Sequence, residues 1–322
     1  MRIIDCHAHL YSGTGGIGPL LAAADELGLA AMNLAAVPRA GAVNTNPAAL
    51  VAKARHPERF FLFAALDHSA RLAPGGPAGP DLAEQAERLA ALGADGIKLL
   101  ETKPTFRKVL DLPIDGEYFA PFFARVERLG LPLLWHAADP EEFWDPRLVP
   151  AWAARRGWAY DRSFVAKETV YAEVERVLAR HPGLKVILAH FYFLSADLPR
   201  ARRLLARFPG VHFDLAPGVE LIFNLSREVG ASRRFFAEHA DRILFGTDIG
   251  LLPEAGVGQA VRRGALVRRF LESDETFGGD PEADFLLTPP EGAEGRGLAL
   301  PAEALAKIYA RNFQALAGER PR

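Results

Sequence analysis

Five side chains in this sequence share a setting that suits metal chemistry. His7 and His9 stand two apart at the end of a run opened by Ile3, Ile4 and Cys6. Residues two apart on a strand point to one face, which would align Asp5, His7 and His9 with both imidazoles at the strand's C-terminal end. Two neutral imidazoles aimed at one point form half a site for a transition metal. A lone His-x-His pair also occurs in structural polar clusters, so the rest of the chain must decide. His136 closes Leu131-Pro-Leu-Leu-Trp-His, His190 closes Lys185-Val-Ile-Leu-Ala-His, and Asp248 closes Arg242-Ile-Leu-Phe-Gly-Thr-Asp. A polar residue that repeatedly ends an apolar run needs a partner, because a buried imidazole or carboxylate is costly alone. A cation supplies that partner.

The elements that must position these groups alternate along the whole chain. Strands are expected near 2–6, 30–36, 60–66, 95–100, 132–136, 185–190, 211–215 and 242–247. Amphipathic helices are expected near 18–28, 47–56, 81–92, 116–129, 168–180, 197–208, 226–239, 258–272 and 301–317. Asp81 and Asp197 suit helix starts, and Gly93 and Pro209-Gly210 suit helix ends. Eight such strands favour an α/β fold, a closed (β/α)₈ TIM barrel, over an open doubly wound sheet. Loops after the strands then gather on one face, where the five side chains meet. No linker divides residues 1–322, so one domain is expected.

Composition narrows the function classes. The 322 residues are 49% hydrophobic and carry a formal charge of −2, which offers no footprint for nucleic acid or an acidic membrane. Asp25 and Glu26 interrupt the apolar stretch after Pro19, so it cannot span a bilayer. The N-terminus lacks the basic-then-apolar layout of a signal peptide. One cysteine, Cys6, excludes an internal disulfide and fits a reducing, cytoplasmic setting. The expected partner is a small molecule, with a homodimer as an open alternative.

Two insertions stand out. Residues 137–167, after the fifth strand, carry Phe143, Trp144, Trp152, Trp158, Tyr160 and Phe164 and could roof a substrate, form a satellite core or make a subunit contact. Residues 273–300 form a Gly-, Pro- and Glu-rich loop before the C-terminal helix, where a peripheral role is expected. The loop after the first strand (Ser12, Gly13, Gly15, Gly16) reads as turn-rich rather than phosphate-binding. His56, His181 and His239 fall at helix ends on the opposite face, and His212 falls inside a strand. His68 reaches the active face without further support.

The ordered set Asp5-Cys-His7-Ala-His9, His136, His190 and Gly246-Thr-Asp248 resembles the amidohydrolase superfamily and, within it, the amidohydrolase-2 branch. The closing Ile308-Tyr-Ala-Arg-Asn312-Phe-Gln-Ala-Leu316 resembles that branch's C-terminal helix, so the resemblance spans essentially the whole chain. It implies one divalent metal ion, zinc first and manganese as an alternative, held by His7, His9, His136 and Asp248. It makes His190 a further ligand or a residue that polarises the substrate. A zinc ion lowers the pKa of bound water to about 7. Asp248 would act as general base and then proton donor. The implied chemistry is hydrolysis of a small, anionic amide, ester or lactone. The same layout also serves non-oxidative decarboxylases resembling aminocarboxymuconate-semialdehyde decarboxylase, acting on aromatic or unsaturated acids.

Strand four reads Asp95-Gly-Ile-Lys98-Leu-Leu-Glu101-Thr-Lys103. Lys98 resembles the carboxylated lysine that bridges two metals in binuclear members, or pairs with an acid such as Glu101; a second metal is not expected. Lys103 and Arg107 suit a substrate anion, and Trp144 and Tyr192 join them as candidate substrate contacts. Phe191, Tyr192 and Phe193 stand where relatives often carry a small residue, which would make the pocket narrower and more aromatic. Asp5 and Asp214 read as supporting carboxylates behind the ligands. A metal nuclease resembling the TatD family also opens on His-x-His, yet Gly96-Ile-Lys98 replaces its Gly-Glu on strand four. A non-catalytic metal-binding module is the remaining alternative.

Overall fold

The computed structural model describes residues 1–11, 13–38, 44–72, 81–218, 220–250, 256–280 and 293–322. Ser12 and the central part of the 273–300 loop lie outside these residues. The chain winds β1 (Ile4–His9), β2 (Ala31–Ala35), β3 (Phe60–Ala65), β4 (Gly96–Thr102), β5 (Leu133–Ala137), β6 (Val186–Leu188), β7 (Val211–Asp214), β8 (Ile243–Leu244) and β9 (Ile249–Gly250). All neighbouring pairs in this sheet are parallel, in the order β8-β7-β6-β5-β4-β3-β2-β1-β9. β8 and β9 are two ends of the expected eighth strand, one bonded to β7 and the other to β1. Between them Cys6 N donates to Phe245 O (2.9 Å) and Asp248 N donates to His7 O (2.7 Å). The (β/α)₈ barrel closes through this segment.

Alternation along the strands sorts side chains into two cores. Ile4, Cys6, Ala31, Ala35, Phe61, Phe63, Leu134, Ile187 and Leu244 fill the barrel interior. Their neighbours, such as Met32, Leu62, Leu133, Trp135 and Phe213, pack outward under the helices. Trp135 therefore points away from the interior, stacks on Phe123 at 5.4 Å and donates to Thr102 Oγ1 at 2.7 Å. From the far end, the C-terminal helix inserts Ala310, Phe313 and Ala317 into the interior cluster. Phe313 meets Phe61 edge-on at 5.0 Å, and Asn312 Nδ2 donates to Ala240 O and Ile243 O, both at 2.7 Å.

β1 breaks the simple alternation. Ile4 and Cys6 lie in the interior, yet Ala8 packs outward, and the pairing register with β2 shifts between Asp5 and Ala8. Such an irregularity re-aims the side chains that follow it. His7 and His9 consequently face inward while Asp5 does not share their face. Asp5 accepts from His7 N (3.0 Å), Thr247 N (3.1 Å) and Thr247 Oγ1 (2.5 Å), tying β1 to the strand that carries Asp248.

The insertion after β5 has its own small core. Phe143, Ala153 and Tyr160 are buried there, with Trp144, Val149, Trp152, Trp158 and Phe164 packed around them. Within the 273–300 segment, β10 (Thr276–Phe277) and β11 (Gly295–Arg296) form a short antiparallel pair.

Candidate metal centre

Each of the four imidazoles at the barrel mouth spends one ring nitrogen on a protein acceptor. His9 Nδ1 lies 2.6 Å from Ala35 O, and His190 Nδ1 lies 3.0 Å from Ala216 O. A carbonyl oxygen can only accept, so both Nδ1 atoms carry the proton. His7 Nδ1 donates to Asp214 Oδ2 at 2.8 Å, and His136 Nε2 donates to Asp139 Oδ1 at 3.0 Å. The remaining nitrogens carry no proton in these neutral tautomers: Nε2 of His7, His9 and His190, and Nδ1 of His136; that of His7 also lies 3.3 Å from Lys98 Nζ. These turn toward the centre. His9 Nε2 is 2.9 Å from Asp248 Oδ1, and His7 Nε2 is 3.7 Å from the same oxygen. His136 Nδ1 and His190 Nε2 are 3.1 Å apart.

Both close contacts bring acceptor against acceptor, which is unfavourable unless a positive charge lies with them. His7, His9 and Asp248 offer ligand atoms within 4.8 Å of one another. The His136–His190 pair stands beside this group, with the His7 and His190 rings 5.3 Å apart. A second hydrogen bond from each imidazole to a carboxylate or carbonyl is the usual support of a metal-bound histidine. The donor set therefore fits a divalent ion.

Electrostatics agree with neutral His7, His136 and His190 and an ionised Asp248. Burial lowers His136 to about 4 and His190 to about 3, and it holds His7 well below its ordinary value. Burial alone would raise Asp248; the adjacent His9 and His7 imidazoles and the Arg263 guanidinium hold it well below the usual carboxylate range instead. Arg263, itself buried, bonds Thr247 O at 2.5 Å and Pro217 O at 2.8 Å and places its guanidinium 3.4 Å from Asp248 Oδ2.

Backbone strain marks the same positions. His190, Phe191, Tyr192 and Phe193 have φ of 57°, 56°, 56° and 51°, a left-handed turn, and Asp248 has φ of 55°. Each such non-glycine residue costs roughly 1–2 kcal/mol. The turn cuts β6 short at Leu188, and Asp214 Oδ1 secures it by accepting from His190 N at 2.7 Å. One buried carboxylate thus supports the His7 imidazole through Oδ2 and the His190 backbone N–H through Oδ1.

Lys98 is also inside the barrel. Its Nζ lies 3.3 Å from His7 Nε2, and burial lowers it to about 8. Glu101 does not pair with Lys98 by hydrogen bond; it accepts from His68 Nε2 at 2.7 Å in a buried pair, with Tyr118 Oη 3.3 Å from His68 Nδ1. Lys103 reaches the mouth, but both Asp139 oxygens hold its Nζ at 2.7 Å, and Trp158 lies under it at 4.4 Å.

Three expected substrate contacts lie elsewhere. Arg107 is buried and faces Glu173 at 3.5 Å, because its helix, Pro104–Leu110, turns it under the barrel helices rather than into the mouth. Tyr192 is fully buried against Tyr171 (4.4 Å), since the left-handed turn rotates it outward and leaves Phe193 beside His190. Trp144 packs on Tyr160 in an outer groove of the insertion. The walls of the pocket over His136, His190 and Asp248 are instead Phe143, Trp158 and Phe193.

Asp139 was not foreseen from sequence. It lies two residues past β5, is 2% exposed, and accepts from His136, Lys103 and the Tyr160 hydroxyl. The only sequence signal was an acid three residues after a candidate ligand. His56, His181 and His239 do cap helices, as expected, and His181 Nδ1 is 2.9 Å from Glu127.

The model of the amidohydrolase-2 family, described as amidohydrolase, matches residues 4–314. The chain belongs to the amidohydrolase family. No curated protein matches this amidohydrolase by sequence. Solved structures share its fold over nearly the full length. An uncharacterised TIM-barrel protein from Bordetella bronchiseptica has a TM-score of 0.56 at 13% identity, covering 98% of each chain. A probable 2-pyrone-4,6-dicarboxylic acid hydrolase from Acinetobacter baumannii, with citric acid bound, has a TM-score of 0.55 at 13% identity, covering 99% of this amidohydrolase and 100% of that chain. A 2,6-dihydroxybenzoate decarboxylase from Rhizobium has a TM-score of 0.53 at 17% identity, covering 98% of each. These likenesses show the fold of the amidohydrolase. Among the described residues no helix is long and apolar enough to cross a membrane.

Proposed function

We propose that this amidohydrolase is a metal-dependent hydrolase of a small anionic amide, ester or lactone, working in the cytoplasm. The observation that carries the reading is the common orientation of four imidazoles. Each is locked by a carboxylate or carbonyl behind it and turns its other nitrogen toward the centre, those of His7 and His9 beside an ionised Asp248 and those of His136 and His190 beside each other. His7, His9, His136 and Asp248 would hold the ion, zinc first and manganese as the alternative, with His190 as a further ligand. When bound, the ion supplies Lewis acidity and lowers the pKa of water at the centre.

The chain's own groups then handle protons. Asp248 is ionised and within reach of the centre, so it accepts the proton of the attacking water. The water oxygen bonds to the substrate carbonyl carbon, the bond to the leaving group breaks, and Asp248 returns the proton to that group. His190 presents a lone pair while neutral, because its only proton is committed to Ala216 O. It can polarise a substrate carbonyl only after taking a proton at Nε2. This structure therefore supports His190 as a ligand or proton acceptor in the resting state. Phe143, Trp158 and Phe193 line the pocket and offer flat faces to the substrate.

The same aromatic walls favour a second reading, decarboxylation of an aromatic or unsaturated acid. A turnover screen of zinc-loaded and manganese-loaded protein with lactones, amides, esters and aromatic carboxylates separates the two. Incorporation of labelled oxygen from water into the product supports hydrolysis. Stoichiometric carbon dioxide without that incorporation overturns it. Inactivity of Asp248→Asn with its metal retained would support the proton role of Asp248.

A further inference from the structure

Two helices on the outside of the barrel, Lys167–Arg180 and Leu198–Arg207, are joined by two ion pairs of equal spacing. Arg200 donates to both oxygens of Glu168, at 2.7 and 2.8 Å, and Arg207 donates to Glu175 at 2.7 Å, each pair being 32 residues apart. Arg203 falls between them on the same helical face, because residues three and four apart are neighbours. The same spacing sets Tyr171 rather than an acid opposite Arg203. The Tyr171 hydroxyl is already donated to Tyr192 O at 2.8 Å. Among the described residues Arg203 has no acidic partner.

The three arginines line one cavity of about 270 Å³, together with Glu175, Tyr192 and Leu194. Two of the guanidiniums are fixed on aromatic rings as well as on acids: Arg200 lies over Tyr171 at 4.7 Å and Arg207 over Phe208 at 4.8 Å. A guanidinium has five N–H donors. Arg200 spends two of them on Glu168, Arg207 spends one on Glu175, and Arg203 spends none on an acid. Three positive charges meet two carboxylates here, so one positive charge is unmatched. Guanidinium forks match the oxygens of a phosphate, and forks already held in place lose little freedom on binding it. The volume lies just below the range of about 300–1,000 Å³ usual for organic ligands, which suits a phosphate carrying a few carbons.

We propose that this cavity binds a small phosphate monoester, at a site separate from the metal centre. It shares no lining residue with the pocket over His136, His190 and Asp248. The Tyr192 hydroxyl is buried, so the guanidiniums supply the contacts. Tyr192 is nonetheless part of the left-handed turn that begins at His190, so the ligand would sit behind that turn, on its outer side. The site is independent of which reaction the metal centre performs.

Calorimetric titration with inorganic phosphate at constant ionic strength tests this, on zinc-loaded and on metal-free protein. Binding of one phosphate per chain should persist when the metal is removed. Arg203→Gln should weaken it by about tenfold or more, the loss of one charge-assisted contact. Arg203 is exposed, so the variant should keep its fold; Arg207→Gln, at the far end of the same face, serves if it does not. Glycerol 3-phosphate should bind at least as tightly as inorganic phosphate, because the cavity has room for its carbons. Phosphate binding that disappears with the zinc would place the anion at the metal centre and overturn the proposal. Binding that survives both variants would overturn it too, as would exclusion of glycerol 3-phosphate or the absence of saturable binding below about 10 mM phosphate.

Discussion

Replacing Asp214 by Asn should weaken metal binding while leaving every candidate ligand side chain in place. Asp214 Oδ1 accepts two backbone N–H groups, from His190 at 2.7 Å and from Ala216 at 3.1 Å. In the variant the amide oxygen must take that place, so the amide nitrogen falls where Oδ2 now meets His7 Nδ1 at 2.8 Å. That nitrogen donates, and His7 must shift its proton from Nδ1 to Nε2 to accept. The lone pair that His7 aims at the centre is then lost. Were the amide to turn the other way, two backbone bonds worth about 1 kcal/mol each would break instead. Losing the carboxylate behind a metal-bound histidine typically costs about 10–100-fold in affinity, or about 1.4–2.7 kcal/mol. Asp214 is fully buried and burial raises its pKa, so removing its charge should not itself destabilise the metal-free fold. The assay is zinc competition against a chromophoric chelator, with urea unfolding of metal-free protein as the control. A zinc affinity within about twofold of wild type, with the fold intact, would refute the tautomer argument.

Two further perturbations probe the scaffold. Glu220 is buried with neither carboxyl oxygen bonded among the described residues, and burial raises it to about 8 from 4.5. The folded chain keeps a proton that the unfolded chain releases, so stability falls as pH climbs from about 4.5 to 8 and levels off above, by at most ~5 kcal/mol. Glu220→Gln should remove that slope, exceeding wild type at pH 8.5 and matching it near pH 4.5 in urea titrations; parallel curves would show that the carboxyl has a partner. Gly210 precedes β7, and a Cβ there would lie 2.0 Å from Leu184 O. Gly210→Ala should lose more than about 2 kcal/mol in the same assay, and a neutral result would mean that the segments leading into β6 and β7 separate easily.

How much of this was legible in the sequence depended on whether period-two alternation held. It held along β5 and placed His136 inward and Trp135 outward. It failed in β1, where the irregularity between Asp5 and Ala8 turns Asp5 toward Thr247 and away from the imidazoles. No local composition signals that break; it follows from pairing with β2. The left-handed turn after β6 was equally invisible, since four non-glycine residues carry it and only tertiary support makes that tolerable. Its effect is to exchange the expected Tyr192 for Phe193 beside His190. Asp139 escaped because its role depends on Tyr160, distant in sequence, and on Lys103 arriving from the strand before. The insertion forms the expected satellite core, and it also lends Phe143 and Trp158 to the pocket.

The central claim is that four tautomer-locked imidazoles and Asp248 hold a divalent ion. Elemental analysis of protein purified after expression with zinc or manganese tests it most directly. The arrangement predicts about one tightly bound divalent ion per chain, lost in a His7→Ala, His9→Ala double variant that keeps its far-ultraviolet spectrum. A folded wild-type protein that retains no metal after such expression, or a double variant that retains it in full, would contradict the assignment.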